Sequence, residues 1–286
     1  AVAEVVAAKA ITTDAAAAIT AEGVNALTPT TVSALSPDAV ASLTADALGS
    51  LDAAQVAAIT TTQAAAITAT QVDALSATQI AAITPSTLAA LSPDAVKSLD
   101  TAQVAAITAT QAGAITAGQV DSLSTTQLAA ITPAALAGLS AAAIGSLDVT
   151  QTAAITATQV DALTTTQLAA ITPTALAGLS AAAIGSLDAA QVGALTVAQL
   201  DALSPEQIKL LSPTALVGLS AEGLEAIKGD LSAAQTTALE EVVAAKAITT
   251  TEAAAITAEG VNALTPTTVS ALSPDAVASL TADAVG

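Results

Sequence analysis

The strongest constraint on this chain is an eight-residue unit that recurs 28 times without a gap from Glu4 to Ile227. Position 1 of the unit is Ser, Thr or Asp in 27 copies, and Glu4 is the exception. Position 7 is Ala, Ser or Gly in 27 copies, with Leu210 the exception, and position 8 is Leu or Ile in all 28. A fixed period with a fixed apolar position is typical of a solenoid, in which each unit buries its apolar face only against neighbouring units.

The residues at positions 1, 2 and 4 predict that a new helix begins in every octad. All ten prolines stand at position 2 and follow a Ser or Thr, as in Thr28-Pro29 and Ser92-Pro93. Ser, Thr and Asp are preferred N-caps, and Pro is favoured at the first helical position, where its missing N–H is not needed. Gln occupies position 4 in 14 of the 28 octads, which completes the Ser/Thr-x-x-Gln capping box.

Two other backbone structures compete with short helices. In one continuous helix, eight residues would rotate the apolar positions by about 80° per unit, so no apolar stripe would persist. A β-solenoid is the alternative, because Thr and Val suit strands. Ala and Gln favour helix, however, and Pro within a strand would remove ladder hydrogen bonds. We therefore predict an all-α solenoid, a superhelix of short capped helices with one helix per octad.

The apolar positions predict how these helices stack. Position 5 is Val, Ile or Leu in 23 octads, and positions 5 and 8 lie on one helical face, so we expect them to form a buried ridge. The small residue at position 7 should let neighbouring helices approach closely. Helices of about one and a half turns are unstable alone, so the stack must hold them. With two or three helices per superhelical turn, the 28 units would form a rod on the order of 100 Å long.

A second, longer period divides the chain into three predicted segments. Residues 238–286 repeat residues 1–49 with five differences, at an offset of 237. We predict an octad-repeat solenoid over 1–227, a phase-breaking insert over 228–240, and the start of a second copy over 241–286.

The insert holds the one break in phase, so it is the expected joint. It also contains a further capped octad that begins at Ser232. The chain begins without an initiator Met or a visible signal peptide, and we expect it to be processed or part of a tandem array of such modules.

The composition argues against several classes of function. Phe, Trp, Tyr, Met, Cys, His and Arg are all absent, so no thiol chemistry is expected and aliphatic residues must form the core. The net charge of -19 should repel nucleic acid and anionic membrane surfaces. Polar residues return every eight positions, which leaves no apolar stretch of the roughly 20 residues needed to span a bilayer.

No residue pattern predicts a catalytic, cofactor-binding or metal site, so we predict that the chain is not an enzyme. The Ser and Thr residues stand at cap positions, no Asp spacing matches a calcium loop, and no Gly-rich phosphate loop is present. A threonine surface for ice or crystal binding is disfavoured, because capping should occupy the hydroxyls. Eight charged residues at position 6 are interpreted as a solvated face; they are Asp73, Asp121, Asp161, Asp201, Lys9, Lys97, Lys209 and Lys246.

One resemblance to known proteins comes from the octads themselves. Thr164–Ile171, with the sequence Thr-Thr-Thr-Gln-Leu-Ala-Ala-Ile, and Thr60-Thr61-Thr62-Gln63 resemble the Thr/Gln/Leu/Ala repeats of very large secreted or surface proteins of proteobacteria. Those proteins look like adhesins, stalks or fibres. The resemblance covers nearly the whole chain and implies an extracellular or cell-surface structural role, but it carries over no site residue.

We therefore predict a structural repeat protein that forms a rod, fibre or filament and self-associates laterally or end to end. The alternative is an adhesin arm, a binding scaffold whose surface contacts a cell, a polysaccharide or a mineral. A rod predicts elongated particles without ligand, and a binding arm predicts retention of a specific ligand.

Overall fold

The computed structural model describes residues 11–246 and residue 277, with side chains described for 11–240 and 277. It divides the chain into two compact units, Ala1–Ser180 and Ala181–Gly286. Lys9, Pro266, Pro274 and most of the predicted segment 241–286 lie outside the described residues. No finding tests the predicted segment boundaries, which stay predictions.

Every regular element among the described residues is an α-helix, and none is a strand. The prediction of an all-α solenoid is therefore confirmed, and the β-solenoid alternative is wrong for this part of the chain. The helices of the first unit are α1 Thr13–Ala17, α2 Ala21–Asn25, α3 Pro29–Ala34, α4 Pro37–Ser42, α5 Ala45–Gly49, α6 Ala53–Ala57, α7 Thr61–Ala64, α8 Ala69–Asp73, α9 Ala77–Ala82, α10 Pro85–Ala90, α11 Pro93–Lys97, α12 Thr101–Ala105, α13 Ala109–Ala112, α14 Ala117–Asp121, α15 Thr125–Ala130, α16 Pro133–Gly138, α17 Ala141–Gly145, α18 Val149–Ala153, α19 Ala157–Ala162, α20 Thr165–Ala170 and α21 Pro173–Leu176. Those of the second unit are α22 Ala181–Ser186, α23 Ala189–Gly193, α24 Val197–Ala202, α25 Pro205–Leu210, α26 Pro213–Leu216, α27 Ala221–Ile227 and α28 Ala233–Lys246.

Each helix of the array begins after its position-1 residue, as the sequence predicts. Thr164 has an extended backbone, with φ -73° and ψ 157°, and its side chain accepts a hydrogen bond from the backbone N–H of Gln167. Where Pro occupies position 2, it is the first residue of its helix, as Pro133 is in α16 and Pro205 is in α25. The cap therefore supplies an acceptor for a backbone donor that the first helical turn leaves free.

Each helix of the array ends at or before position 8 of its own octad. The backbone N–H of Leu163 bonds the Val160 carbonyl at 3.0 Å, which closes a tight last turn. Leu163 itself is extended, with φ -69° and ψ 137°, and Thr164 after it is extended too. Where position 8 caps the helix in this way, two extended residues link that helix to the next one, and such links wind the chain into a superhelix.

In both units the short helices of the array pack mainly against the third helix along the chain. In the first unit α13 contacts α16, α16 contacts α19 and α17 contacts α20. In the second unit α23 contacts α26 and α24 contacts α27. Helices three apart pack together, and Gln167 also bonds the Leu139 carbonyl, which lies four octads earlier. Between three and four helices therefore complete one superhelical turn, which is more than the two or three assumed from the sequence.

The core consists of positions 5 and 8, as predicted, together with position 4. Leu136, Ile144 and Leu168 at position 5 are fully buried, and position 8 residues such as Leu163 are 4% exposed. Near the start of the first unit these side chains fill an interior with no space for a water molecule. The lining residues there are Leu27, Val32, Leu35, Val40, Leu43, Leu48, Leu51 and Ile59. Dense aliphatic packing of this kind replaces the aromatic core of many domains.

Positions 6 and 7 bring helix backbones into direct contact, which confirms the prediction for position 7. A Cβ on Gly178, at position 7, would lie 2.5 Å from the Val149 carbonyl oxygen. Ser can take the same position, since Ser98 Oγ donates to the Ala69 carbonyl at 2.9 Å. A small residue is needed there because the neighbouring backbone occupies the space of a larger side chain.

Leu210, the one large residue at position 7, shows the effect of a larger side chain at the helix contact. Its side chain is 42% exposed, and its carbonyl oxygen lies 3.6 Å from the Cβ position of Gly185. At the equivalent pair in the first unit, the Ala170 carbonyl oxygen lies 2.7 Å from the Cβ position of Gly145. The larger residue at position 7 therefore accompanies a wider separation of the two helices.

The first four residues of the predicted insert stand in place of a whole octad. Lys228 to Leu231 separate α27 from the capped octad that begins at Ser232, and Lys228 pairs with Glu225 on the surface. The capping box of that octad forms, since Ser232 N–H donates to Gln235 Oε1 at 2.8 Å. Helix α28 then continues for 14 residues to Lys246, well past the end of its octad at Leu239. Within the described residues no helix is both long enough and apolar enough to cross a membrane.

Candidate functional site

The most distinctive polar feature of the solenoid is the buried glutamine at position 4. Gln167 accepts the Thr164 backbone N–H at 2.8 Å through Oε1, which is the expected capping box. Its Nε2 group donates to the carbonyl oxygens of Leu139 at 2.7 Å and Leu136 at 3.3 Å. Both lie in the preceding turn of the superhelix, and each such turn is called a coil below. We call this double contact, from the cap of one helix to the carbonyls of another, a glutamine bridge.

The same bridge recurs in eleven octads of the first unit. In each, Nε2 donates to the position-8 carbonyl 28 residues earlier, at 2.5–2.9 Å. The bridging side chains are 1–6% exposed; they are Gln55, Gln63, Gln71, Gln79, Gln103, Gln111, Gln119, Gln127, Gln151, Gln159 and Gln167. Successive coils of this unit are therefore joined by a repeated set of buried hydrogen bonds.

The chemistry of the primary amide explains why this residue is used. The last carbonyls of a helix have no partner inside the helix, and the two N–H donors of Gln supply one. The amide oxygen meanwhile occupies a free backbone donor of its own helix, so both ends of the buried group are satisfied. Among the described side chains, no buried nitrogen or oxygen lacks a hydrogen-bond partner.

The sequence predicted the capping half of this arrangement and missed the bridging half. One signal was present: Glu closes a capping box as well as Gln does, yet position 4 contains no Glu in any of the 28 octads. Unlike the carboxylate of Glu, the side-chain amide of Gln carries hydrogen-bond donors as well as an acceptor.

Thr87 is a shorter substitute for a bridging glutamine. Its hydroxyl donates to the Ile59 carbonyl at 2.9 Å, again 28 residues earlier, and accepts from the cap residue Thr84 at 2.8 Å. In the other octads without Gln, position 4 is mostly Ala, as at Ala135 and Ala143, and the side chain offers no hydrogen bond. The bridges are therefore grouped along the chain and do not occur in every octad.

The hydroxyls of the position-1 caps are occupied, as the sequence predicts. Thr156 Oγ1 accepts the Gln159 backbone N–H at 3.3 Å and donates to Gln159 Oε1 at 3.1 Å. The same pair of contacts occurs at Thr164. A hydroxyl held in this way faces its own helix, so the position-1 threonines do not form an outward array.

The charged residues singled out in the sequence are exposed and are not gathered into a site. All six with described side chains, Asp73, Asp121, Asp161, Asp201, Lys97 and Lys209, lie on the surface. Lys9 and the side chain of Lys246 lie outside the described residues. No group of three potential metal-ligating side chains forms among the residues that the structure describes.

One open groove on the second unit lies between α24 and α27. It is lined by Val197, Asp201, Ala221, Glu222, Glu225 and Ala226. Val197 is 41% exposed, and Glu225 is paired with Lys228 at the edge of the groove. The lining combines small apolar side chains with carboxylates and contains no histidine, cysteine or hydroxyl group.

No family model matches the chain, and no curated protein matches it. The resemblance to bacterial surface repeats therefore stays an expectation from the sequence. The main polar feature of the structure is the repeated hydrogen bonding between coils. The prediction that the chain is not an enzyme remains a prediction.

Proposed function

We propose that this chain is a structural repeat protein whose solenoid forms an extended rod, fibre or filament. The repetitive helical solenoid is observed, and the glutamine bridges carry the proposal. Each bridge joins a coil only to the coil before it, so octads can be added without changing any existing contact. A fold of that kind supplies length, which is what a rod or fibre requires.

The internal hydrogen bonding supports a role in which the solenoid resists mechanical tension. Gln119, for example, is 1% exposed and bonds the carbonyls of both Leu88 and Leu91, at 3.0 and 2.9 Å. Buried bonds of this kind are protected from water, and each leaves an unsatisfied polar group if it is broken. Separation of two coils is thus opposed by hydrogen bonds as well as by aliphatic contacts.

We further propose that the protein acts outside the cell or on its surface and associates with copies of itself. The absence of Cys, Met and aromatic residues suits chemical durability in an oxidising setting. The resemblance to the repeats of secreted bacterial proteins supports the same location. Small residues such as Ala and Thr on the exposed positions 2 and 3 would allow close lateral contact between solenoids.

A register-preserving duplication tests the rod directly. Residues 100–147 make up six complete octads, so a second copy of this block keeps every 28-residue bridge in phase. The 48 added residues should lengthen the particle along one axis only, as measured by negative-stain electron microscopy and small-angle scattering. Growth in all dimensions, or no change in the longest one, would refute the proposal.

Self-association is tested separately on the unaltered chain. Micrographs of concentrated protein should show fibres or bundles of rods in the absence of any ligand. A monodisperse particle that is retained on a column of one polysaccharide or mineral would instead support a binding arm.

A further inference from the structure

We infer that the solenoid contains built-in weak seams, where two successive octads lack bridging glutamines and the coils separate first. A seam is defined here as two octads with no Gln at position 4, together with the two octads beneath them in the preceding coil. Gln103, Gln111, Gln119 and Gln127 form one run of bridges, Ala135 and Ala143 interrupt it, and Gln151 begins the next.

Two seams lie entirely within the described residues of the first unit. Seam 1 places octads 84–99 over octads 52–67, where Thr87 provides one bond to the Ile59 carbonyl and Ala95 provides none. Seam 2 places octads 132–147 over octads 100–115, where Ala135 and Ala143 are both fully buried and have no side-chain donor. The neighbouring run of four octads has two or three bonds per glutamine.

Proline at position 2 does not explain the missing glutamines. Several seam octads carry Pro, as octad 132 does at Pro133, but octad 140 in the same seam has Ala141 at that position. Conversely, Ser204-Pro205-Glu206-Gln207 has both Pro and Gln and forms a complete capping box. The seams are therefore a separate feature of the chain and not a side effect of the proline turns.

The octads of a seam are still held in contact, by close backbone packing and by serine hydrogen bonds at position 7. At seam 2, Gly138 sits against the backbone of Ala109, and Ser146 Oγ donates to the Ala117 carbonyl at 3.2 Å. These contacts join a helix to the third helix before it and are present elsewhere in the stack as well. A seam lacks the second contact, the glutamine bridge to the fourth octad before it. It should therefore open more readily than the neighbouring octads.

In a rod under tension, separation would begin at the seams and leave the bridged runs intact. This consequence rests on the proposed structural role, whereas the seams themselves are a property of the folded chain. The test below measures local opening in the isolated protein, so its outcome does not depend on whether rods or fibres form.

Native-state hydrogen exchange on the unaltered chain gives the first test. Amides of octads 100–115 and 132–147 should exchange at least tenfold faster than amides of octads 68–83 and 116–131, which have glutamine bridges on both sides. Peptides should be compared position by position in the octad, so that cap and helix-end amides are matched. Equal protection of these two sets of octads, or slower exchange at seam 2, would overturn the inference.

A pair of substitutions should create a new seam. Gln119→Ala with Gln127→Ala removes the bridges from octads 116–131 to octads 84–99, and exchange in both should rise at least tenfold. The matched control, Thr116→Ala with Ser124→Ala, removes the caps of the same two helices but leaves the Nε2 donors in place. Exchange should then rise only within 116–131, and a rise of equal size in 84–99 would show that capping, not bridging, holds the coils.

The reverse substitution should close a seam. Ala135→Gln with Ala143→Gln places donors above the carbonyls of octads 100–115, and exchange there should slow by at least tenfold. If this variant does not fold, the glutamine-to-alanine pair still decides the question. Unchanged exchange in 84–99 after loss of both glutamines would refute the inference on its own.

Discussion

The short helices of the array and the long helix α28 differ mainly in the residue that follows position 8. In the array, Leu163 is followed by Thr164, which caps a new helix. In α28, Leu239 is followed by Glu240 and Glu241, and the helix continues to Lys246. Glu is a good helix former and a poor N-cap, so nothing ends the helix at that point.

This difference shows that the cap residue sets the length of a helix in this protein. Leu239 keeps its position-8 character, since it is 8% exposed, yet an apolar residue alone does not stop the helix. The beginning of α28 is still array-like, because Gln235 bonds the carbonyls of Ile208 and Leu211 at 2.9 and 2.8 Å. These partners lie 27 and 24 residues earlier because residues 228–231, the first four of the insert, stand in place of an octad.

The largest expected effect tests whether array helices depend on packing, since they are too short to be stable alone. Leu168→Ala empties a fully buried site in α20 and should lower the free energy of unfolding by about 2–5 kcal/mol. Val197→Ala, at a site 41% exposed, is the control and should change it by less than about 0.5 kcal/mol. Urea titration followed by circular dichroism measures both, and equal effects would mean that packing does not distinguish the array.

A pair of proline substitutions probes where helices start. Val242→Pro interrupts α28 and should cost about 3 kcal/mol, because it removes a backbone hydrogen bond inside a helix. Thr165→Pro puts Pro at the first position of α20, where the array already accepts it, and should change stability by less than about 0.5 kcal/mol. Backbone chemical shifts would show whether α28 splits. Similar costs at the two sites would contradict the comparison.

A pair of glycine substitutions tests the close backbone approach that the array requires. Gly178→Ala places a Cβ 2.5 Å from the Val149 oxygen and 2.7 Å from Thr152 Oγ1, and should destabilise by about 1–3 kcal/mol. Gly118→Ala has nothing within 4 Å and should stabilise α14 by about 0.5–1 kcal/mol. Thermal unfolding of the two variants should therefore shift in opposite directions, and shifts of the same sign would argue against tight packing at position 7.

The smallest expected effect isolates the cap. Thr164→Ala removes the acceptor for the Gln167 N–H and should cost about 1 kcal/mol, with hydrogen exchange increased at the start of α20. Thr166→Ala changes an exposed hydroxyl in the same helix and should have less than half that effect. If the two variants are equally stable, another feature must separate the array from α28.

Much of the local structure could be predicted because it depends on residues close together in the chain. Thr164 and Gln167 lie three apart, so the pattern indicates their capping box directly, and the same holds for the ridge of positions 5 and 8. The bridge from Gln167 to Leu139 could not be predicted in this way. Its acceptor is a backbone carbonyl, which every residue possesses, and it lies 28 residues away.

The sequence by itself determined where helices begin, where they end and which face is apolar, since caps, prolines and aliphatic residues act within one octad. Only the tertiary structure decided how many helices complete a turn and which carbonyls the glutamines reach. It also decided which glycines are needed for backbone contact, as at Gly178. These features arise from the angle between successive helices, which is set by two extended linker residues and by packing against the third helix along the chain. A repeating pattern contains no record of that angle.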